Sequence, residues 1–172
     1  MKTIFSFSLL FISFCPFAQN EYNTVINIRR AVEKINRDTG YSIRKLTAED
    51  FLNQVPDNGG ELTGYFKKGQ LVKIIEWIGL SSCVKVTEYY LQGDKLIFTY
   101  TKGSESPYID SLHEFDHNKL NTTMEYRFYF DNNKVVKKIL NGSTRCSGRP
   151  TADLSKEYLD LYLRYKKLLV NK

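Results

Sequence analysis

The segment Leu112-His113-Glu114-Phe115-Asp116-His117 carries the residue types and spacing of a zinc-hydrolase signature. On a helix, two histidines four apart share one face and hold a metal, and the glutamate beside the first polarises the metal-bound water. That chemistry needs a helix and a third ligand. The flanks "SPYID" and "NKLNTT" are poor helix material. Asp116 stands where zinc proteases with this pattern carry an uncharged residue. His113 and His117 are the only histidines, Glu125 falls in a strand-like segment, and Glu157 lies in a distant helical one. We therefore read the match as accidental. His113, Glu114 and His117 are expected in a solvated loop, with no metal or other cofactor. A zinc-dependent hydrolase with Glu114 as its base is the alternative. The sequence has no Gly-x-Ser-x-Gly nucleophile elbow and no glycine-rich phosphate loop.

The ends of the chain bear on where it works. Lys2, an apolar run from Ile4 to Phe14, and "PFAQ" make the pattern of a secretory signal peptide, cut after Ala18. The run is too short to span a bilayer, which needs roughly 20 residues. Cys15 invites a lipidation reading, but Phe14 stands where such a signal wants a small residue. Removing residues 1–18 from 172 leaves 154, enough for one domain over 19–172. Taking Lys2 from the 25 Lys+Arg leaves 24 against 19 Asp+Glu, a net charge of +5. The basic residues are scattered, which argues against nucleic acid as a partner. No later run reaches transmembrane length. We expect a periplasmic or secreted protein. Cys83 and Cys146 remain after cleavage, and an even cysteine count in an exported chain points to a disulfide between them.

The elements follow from periodicity. Val25, Ile28, Val32 and Ile35 make a helical stripe over 22–36. "YSIRKL" reads as a short strand, "AEDFLNQ" as a helical turn. From Glu61 onward, strand-length runs rich in β-branched and aromatic residues are joined in pairs by "KKGQ", "QGDK" and "DNNK", giving three β-hairpins. Tyr65, Tyr89 and Tyr129 stand four residues before Gly69, Gly93 and Asn133. An apolar pair follows each turn: Leu71-Val72, Leu96-Ile97 and Val135-Val136. Residues 101–123 read as a long polar connection. Leu154, Tyr158, Leu161, Tyr165 and Leu168 make a C-terminal amphipathic helix with Thr151 as its N-cap. The fold class is α+β, a curved antiparallel sheet of about six strands flanked by an N-terminal and a C-terminal helix.

Strand alternation sets Lys85 and Tyr89 on one side of their strand and Arg127 and Tyr129 on one side of theirs. With Tyr65, these form a tyrosine-rich, basic sheet face, and such side chains combine large contact area with a polar handle. The phrases "EYYLQGDKLIFTY" and "YRFYFDNNKVVKKIL" resemble a wording found in small exported proteins of Gram-negative bacteria, where Tyr-Tyr-Phe meets an Asn-Gly-Lys-Leu turn. There is also a faint likeness to MORN-type repeats, without their strict glycine spacing. The resemblance covers about residues 61–140 and implies location and fold, not an activity. The function expected is a non-enzymatic module binding a protein, glycan or envelope component through that face or the 101–123 loop. A third reading is an inhibitor or immunity-like protein that acts through the loop.

Overall fold

The computed structural model describes residues 16–146 and 153–171. The chain is α+β, an open antiparallel sheet between two helices. Helix α1 (Pro16–Arg37) is followed by β1 (Ser42–Thr47), a single turn α2 (Ala48–Phe51), β2 (Gly60–Lys67), β3 (Gln70–Leu80), β4 (Cys83–Gln92) and β5 (Lys95–Glu105). A small ribbon, β6 (Tyr108–Ile109) and β7 (Glu114–Phe115), precedes β8 (Asn121–Asp131), β9 (Lys134–Gly142) and α3 (Leu154–Asn171). The main sheet runs β1-β2-β3-β4-β5-β8-β9, so every strand neighbours the previous main-sheet strand. The seventh strand is β1, which "YSIRKL" adds outside the three hairpins by pairing with β2. Residues 1–15 and the N-cap expected at Thr151 lie outside the described residues. Residues 16–18 open α1. Asp153 caps α3, its Oδ1 accepting from the backbone N–H of Ser155 (3.1 Å) and Lys156 (3.2 Å). Among the described residues no helix is long and apolar enough to cross a membrane.

One device explains the repeated hairpin wording. The turns of the three expected hairpins each have both central residues at positive φ: Lys68 and Gly69, Gly93 and Asp94, Asn132 and Asn133. That is the type I′ geometry, whose twist matches the strands it joins. Two residues before each turn-closing pair the register slips, at Tyr65/Phe66, Tyr90/Leu91 and Tyr129/Phe130. The extra residue on the returning strand is Val72, Ile97 or Val136. Each bulge thus splits its apolar pair between the layers. Leu71, Leu96 and Val135 join the core under α3, whereas Ile97 and Val136 join the core under α1.

The two layers differ in character. Val25 and Ile28 of α1 pack with Tyr90, Phe98 and Tyr129. On the other face α3 buries Tyr158, Tyr162, Tyr165 and Leu169, spaced four, three and four. This stripe is rotated from the one expected: Tyr158 and Tyr165 belong to it, while Leu161 and Leu168 pack at its margin and Tyr162 and Leu169 take the buried positions. The connection expected over 101–123 is shorter. β5 continues to Glu105 and β8 begins at Asn121, with Ser104 paired to Thr122 and Glu105 to Asn121. Polar side chains there bond across the strands, Thr101 to Thr87 and Thr123 to Glu105, both at 3.3 Å, and the backbone ladder still forms. The loop proper is 106–120.

Cys83 and Cys146 are bridged, with Cα atoms 6.2 Å apart and 63 residues between them in sequence. The bridge sits at the end of the sheet away from the type I′ turns. Beside it Arg145 clamps the ribbon. Its Nε pairs with Glu105 at 3.2 Å, its Nη2 donates to the Ser106 carbonyl at 2.7 Å, and its guanidinium stacks 4.9 Å from the Phe115 ring centre.

Candidate functional site

The zinc-like segment forms a hairpin, not a helix. Ile109 pairs with Glu114 and Tyr108 with Phe115. The N–H of Leu112 donates to the Ile109 carbonyl at 3.1 Å to close the turn. His113 sits in the left-handed region at φ 53°, and Glu114 is the first residue of a strand. With a strand between them, His113 and His117 are not presented on one helical face. Both imidazoles and Glu114 are exposed. Among the described residues, no group of three His, Cys, Asp or Glu side chains is placed to hold a metal ion. Replacing His113 or His117 by Ala is expected to change stability by less than about 0.5 kcal/mol, as at ordinary surface sites. Adding zinc should leave the melting temperature unchanged. A chelator-sensitive melting temperature would contradict both expectations.

The five residues expected to share a sheet face are divided between opposite faces, which corrects that grouping. Tyr65, Arg127 and Tyr129 point to the α1 side, and Lys85 and Tyr89 to the α3 side. Tyr89 is fully buried against Tyr158 and Tyr165, with ring centres 6.3 and 5.9 Å away. Lys85 Nζ lies 3.8 Å from Glu76 Oε2 on the same side. Tyr129 is buried under α1, where Arg29 donates to its hydroxyl at 3.3 Å. The cause is a one-residue slip. In a type I′ turn either central position suits glycine, so Gly69 fills the second and Gly93 the first. The true counterpart of Tyr65 and Tyr129 is Tyr90. A slip of one residue sends a side chain to the opposite face.

Two arrangements emerge that the sequence reading missed. Under α3 lies a buried polar row. Glu76 is 2 % exposed, accepts a hydrogen bond from the Tyr165 hydroxyl, and pairs across the strands with Thr87, which in turn pairs with Thr101. The Tyr158 hydroxyl meets Thr101 Oγ1 at 2.8 Å. Burial first, then the Glu76 charge, raises the Tyr165 phenol far above its ordinary range, and burial pushes Tyr158 up to about 12. Both tyrosines stay protonated donors at any physiological pH. The sequence signal was present in Glu76 itself, a carboxylate inside an otherwise apolar strand.

The second arrangement is the half-open part of the α1 face. Helix α1 covers the row of Tyr90, Phe98 and Tyr129 nearest the turns. The next two rows are half-buried, and among the described residues Tyr100 is the member of them packed against the α1 core. One runs Ile75, Glu88, Tyr100, Arg127 across four paired strands, and the other Trp77, Val86, Lys102, Glu125. Three of their four charged residues, Glu88, Arg127 and Glu125, are tied down. Glu88 pairs with Lys73 at 3.1 Å, Arg127 with Glu125 at 3.2 Å, and the Tyr100 hydroxyl donates to Glu125. Arg127 also lies 4.9 Å from the Tyr100 ring centre. Burial, followed by the hydrogen bond to Glu125, pushes Tyr100 up to about 12. The Tyr100 bond is the main cause that holds Glu125 below its usual range. Trp77 is the only tryptophan of the chain. Comparison with protein-family models, with curated proteins and with solved structures finds no match.

Proposed function

We propose that the chain is an exported, non-enzymatic binding module whose ligand is a neutral oligosaccharide lying on the half-open sheet face. One observation carries the reading: Trp77 and Tyr100 stand half-buried on the sheet, with Glu88, Arg127 and Glu125 beside them already paired. An aromatic ring offers a flat apolar platform to the C–H face of a sugar, and fixed carboxylate and guanidinium groups meet its hydroxyls. Size favours a small ligand over a globular partner. Two rows on four strands make a patch roughly 15 Å on a side, on the order of 200 Å². A standard protein interface takes about 800 Å² from each partner. The pairing of cations with anions leaves no strong field of either sign, which suits a neutral ligand.

A second reading rests on the 106–120 loop. Its ribbon exposes Leu112 and Tyr108 while Arg145 fixes its base on Phe115. A rigid loop with an apolar tip is the form an inhibitor or immunity-like protein inserts into an enzyme cleft.

Trp77 supplies its own assay. Titration with a panel of neutral envelope and plant-type oligosaccharides is expected to shift its fluorescence for at least one member. Tyr100→Ala should then weaken that binding about tenfold or more, as loss of a stacking surface worth upwards of 1 kcal/mol. If no sugar at millimolar concentration moves the Trp77 emission, the glycan reading fails. Leu112→Asp leaves the sheet face untouched and serves as the control that isolates the loop reading.

A further inference from the structure

We propose a second, separate binding site for a single-chain anionic amphiphile in the cleft between α1 and the β2–β3 and β4–β5 turns. The cleft has a volume of about 530 Å³, within the usual range for small-molecule sites. Its floor is apolar, formed by Ala31 and Ile35 of α1, Tyr41 and Val72. Its rim is basic, with Arg30 and Lys34 one helical turn apart on α1 and Lys67 and Lys68 at the β2–β3 turn. The one acid lining it is Asp38. That acid is engaged by Lys67 Nζ at 2.8 Å and by the Thr39 N–H at 2.9 Å. Lys67 also lies 5.4 Å from the Tyr41 ring centre, so it serves as a fixed wall. The side chains of Arg30, Lys34 and Lys68 make no hydrogen bond or contact ion pair among the described residues, and with Lys67 they outnumber Asp38, so the rim keeps a net positive charge.

Lys68 adds an independent argument. It occupies the first central position of a type I′ turn at φ 50°. The same position in the other two hairpins holds Gly93 and Asn132, residues that accept the left-handed region at little cost. A lysine there is the least comfortable of the three. Backbone discomfort retained at a concave, charged position is a pointer to function. The geometry also fixes the class of ligand. A basic rim takes a phosphate or carboxylate, while an apolar floor under it takes the first methylenes of a chain. A neutral sugar satisfies neither, so this site does not depend on the sheet-face ligand.

The test compares three probes by calorimetry at low ionic strength, with detergents kept below their critical micelle concentrations. The probes are monododecyl phosphate, dodecylphosphocholine and inorganic phosphate. Monododecyl phosphate is expected to bind one to one, at least tenfold more tightly than either of the others. Lys68→Asn is expected to keep or raise the melting temperature, since asparagine suits the turn, and yet to weaken monododecyl phosphate about tenfold. Lys34→Gln, on the exposed side of α1, should weaken it similarly. The proposal is overturned if the phosphocholine or inorganic phosphate binds as tightly, or if both variants bind like the parent chain. Retention of monododecyl phosphate binding by Trp77→Ala separates this site from the sheet face.

Discussion

Tyr165→Ala is expected to cost roughly 4–8 kcal/mol and to yield little folded protein. Two effects add. Truncating a fully buried aromatic side chain typically costs about 3–5 kcal/mol through lost burial and the cavity left behind, and Tyr165 is 1 % exposed amid Phe51, Tyr89 and Leu62. The second effect is electrostatic. The Tyr165 hydroxyl is the hydrogen-bond donor to the Glu76 carboxylate, whose other oxygen has no hydrogen-bond partner and only Lys85 at 3.8 Å. Leaving a buried carboxylate without its donor costs on the order of 1–3 kcal/mol more. The sum is comparable with the whole stability of an ordinary domain, about 5–15 kcal/mol. Tyr165→Phe isolates the second effect, because it keeps the ring and removes only the donor. It should lower urea-unfolding stability by about 1–3 kcal/mol, and Glu76→Gln in the same background should recover part of that loss by removing the stranded charge. Should Tyr165→Phe unfold within about 0.5 kcal/mol of the parent, the Glu76–Tyr165 bond contributes nothing and the α3 layer is held by burial alone.

That bond also shows what could and could not be read from the chain. Helix α3 was legible as an amphipathic helix, but its buried stripe was not. Leu161 and Leu168 continue one three-and-four spacing through Tyr158 and Tyr165, and Tyr162 and Leu169 continue another. Hydrophobicity does not choose between them. The choice is made by three phenols that reach specific partners: Tyr158 to Thr101, Tyr162 to the Asp94 carbonyl, and Tyr165 to Glu76. Those partners come from strands 57 to 89 residues away, and no local pattern announces them. Helix α1 was easier. Val25, Ile28, Val32 and Ile35 all pack in its layer, because its opposite face carries charges and leaves one choice.

The sheet repeats this lesson at finer scale. All seven main strands were visible as strands, though β1 was not placed in the sheet, and so were the three hairpin turns, because β-branched runs and Gly/Asn/Asp pairs are local signals. The bulges were visible only as an apolar pair after each turn. Without knowing that one member is an extra residue, alternation alone assigns Tyr89 rather than Tyr90 to the row of Tyr65 and Tyr129. The candidate site shifted accordingly. Arg127 stays on the half-open face, Tyr89 and Tyr129 leave it for the interior, and Trp77 and Tyr100 become its aromatic members. In sequence, alternation places Tyr100 on one face with Lys102 and Trp77 on one face with Ile75.

Removing the Cys83–Cys146 bridge, as the double Ser variant, is expected to cost about 4 kcal/mol. The bridge closes 63 residues, and the chain-entropy relation gives about that figure for a loop of this length. The bridged region argues for an effect through the unfolded chain rather than the folded one. Around it the native contacts are redundant: the Arg145 N–H donates to Glu105 Oε1 at 2.8 Å, its guanidinium pairs with Oε2 at 3.2 Å, and the Ser106 N–H bonds the Ser82 carbonyl at 2.8 Å. These hold the strand ends in place whether or not the sulfurs are joined. The folded double variant should therefore keep its far-ultraviolet spectrum and its Trp77 emission. Its unfolded ensemble should be more expanded, so the slope of stability against urea should rise as the midpoint falls. A constant slope with a lost native spectrum would place the effect in the folded state. Free reaction of both thiols with a label in the native protein would contradict the bridge. The same measurement bears on location, since such a bridge persists in an oxidising compartment and is reduced in the cytosol. In a reducing cytosol the chain would lose about 4 kcal/mol of a typical 5–15, so its stability is greatest in an oxidising compartment.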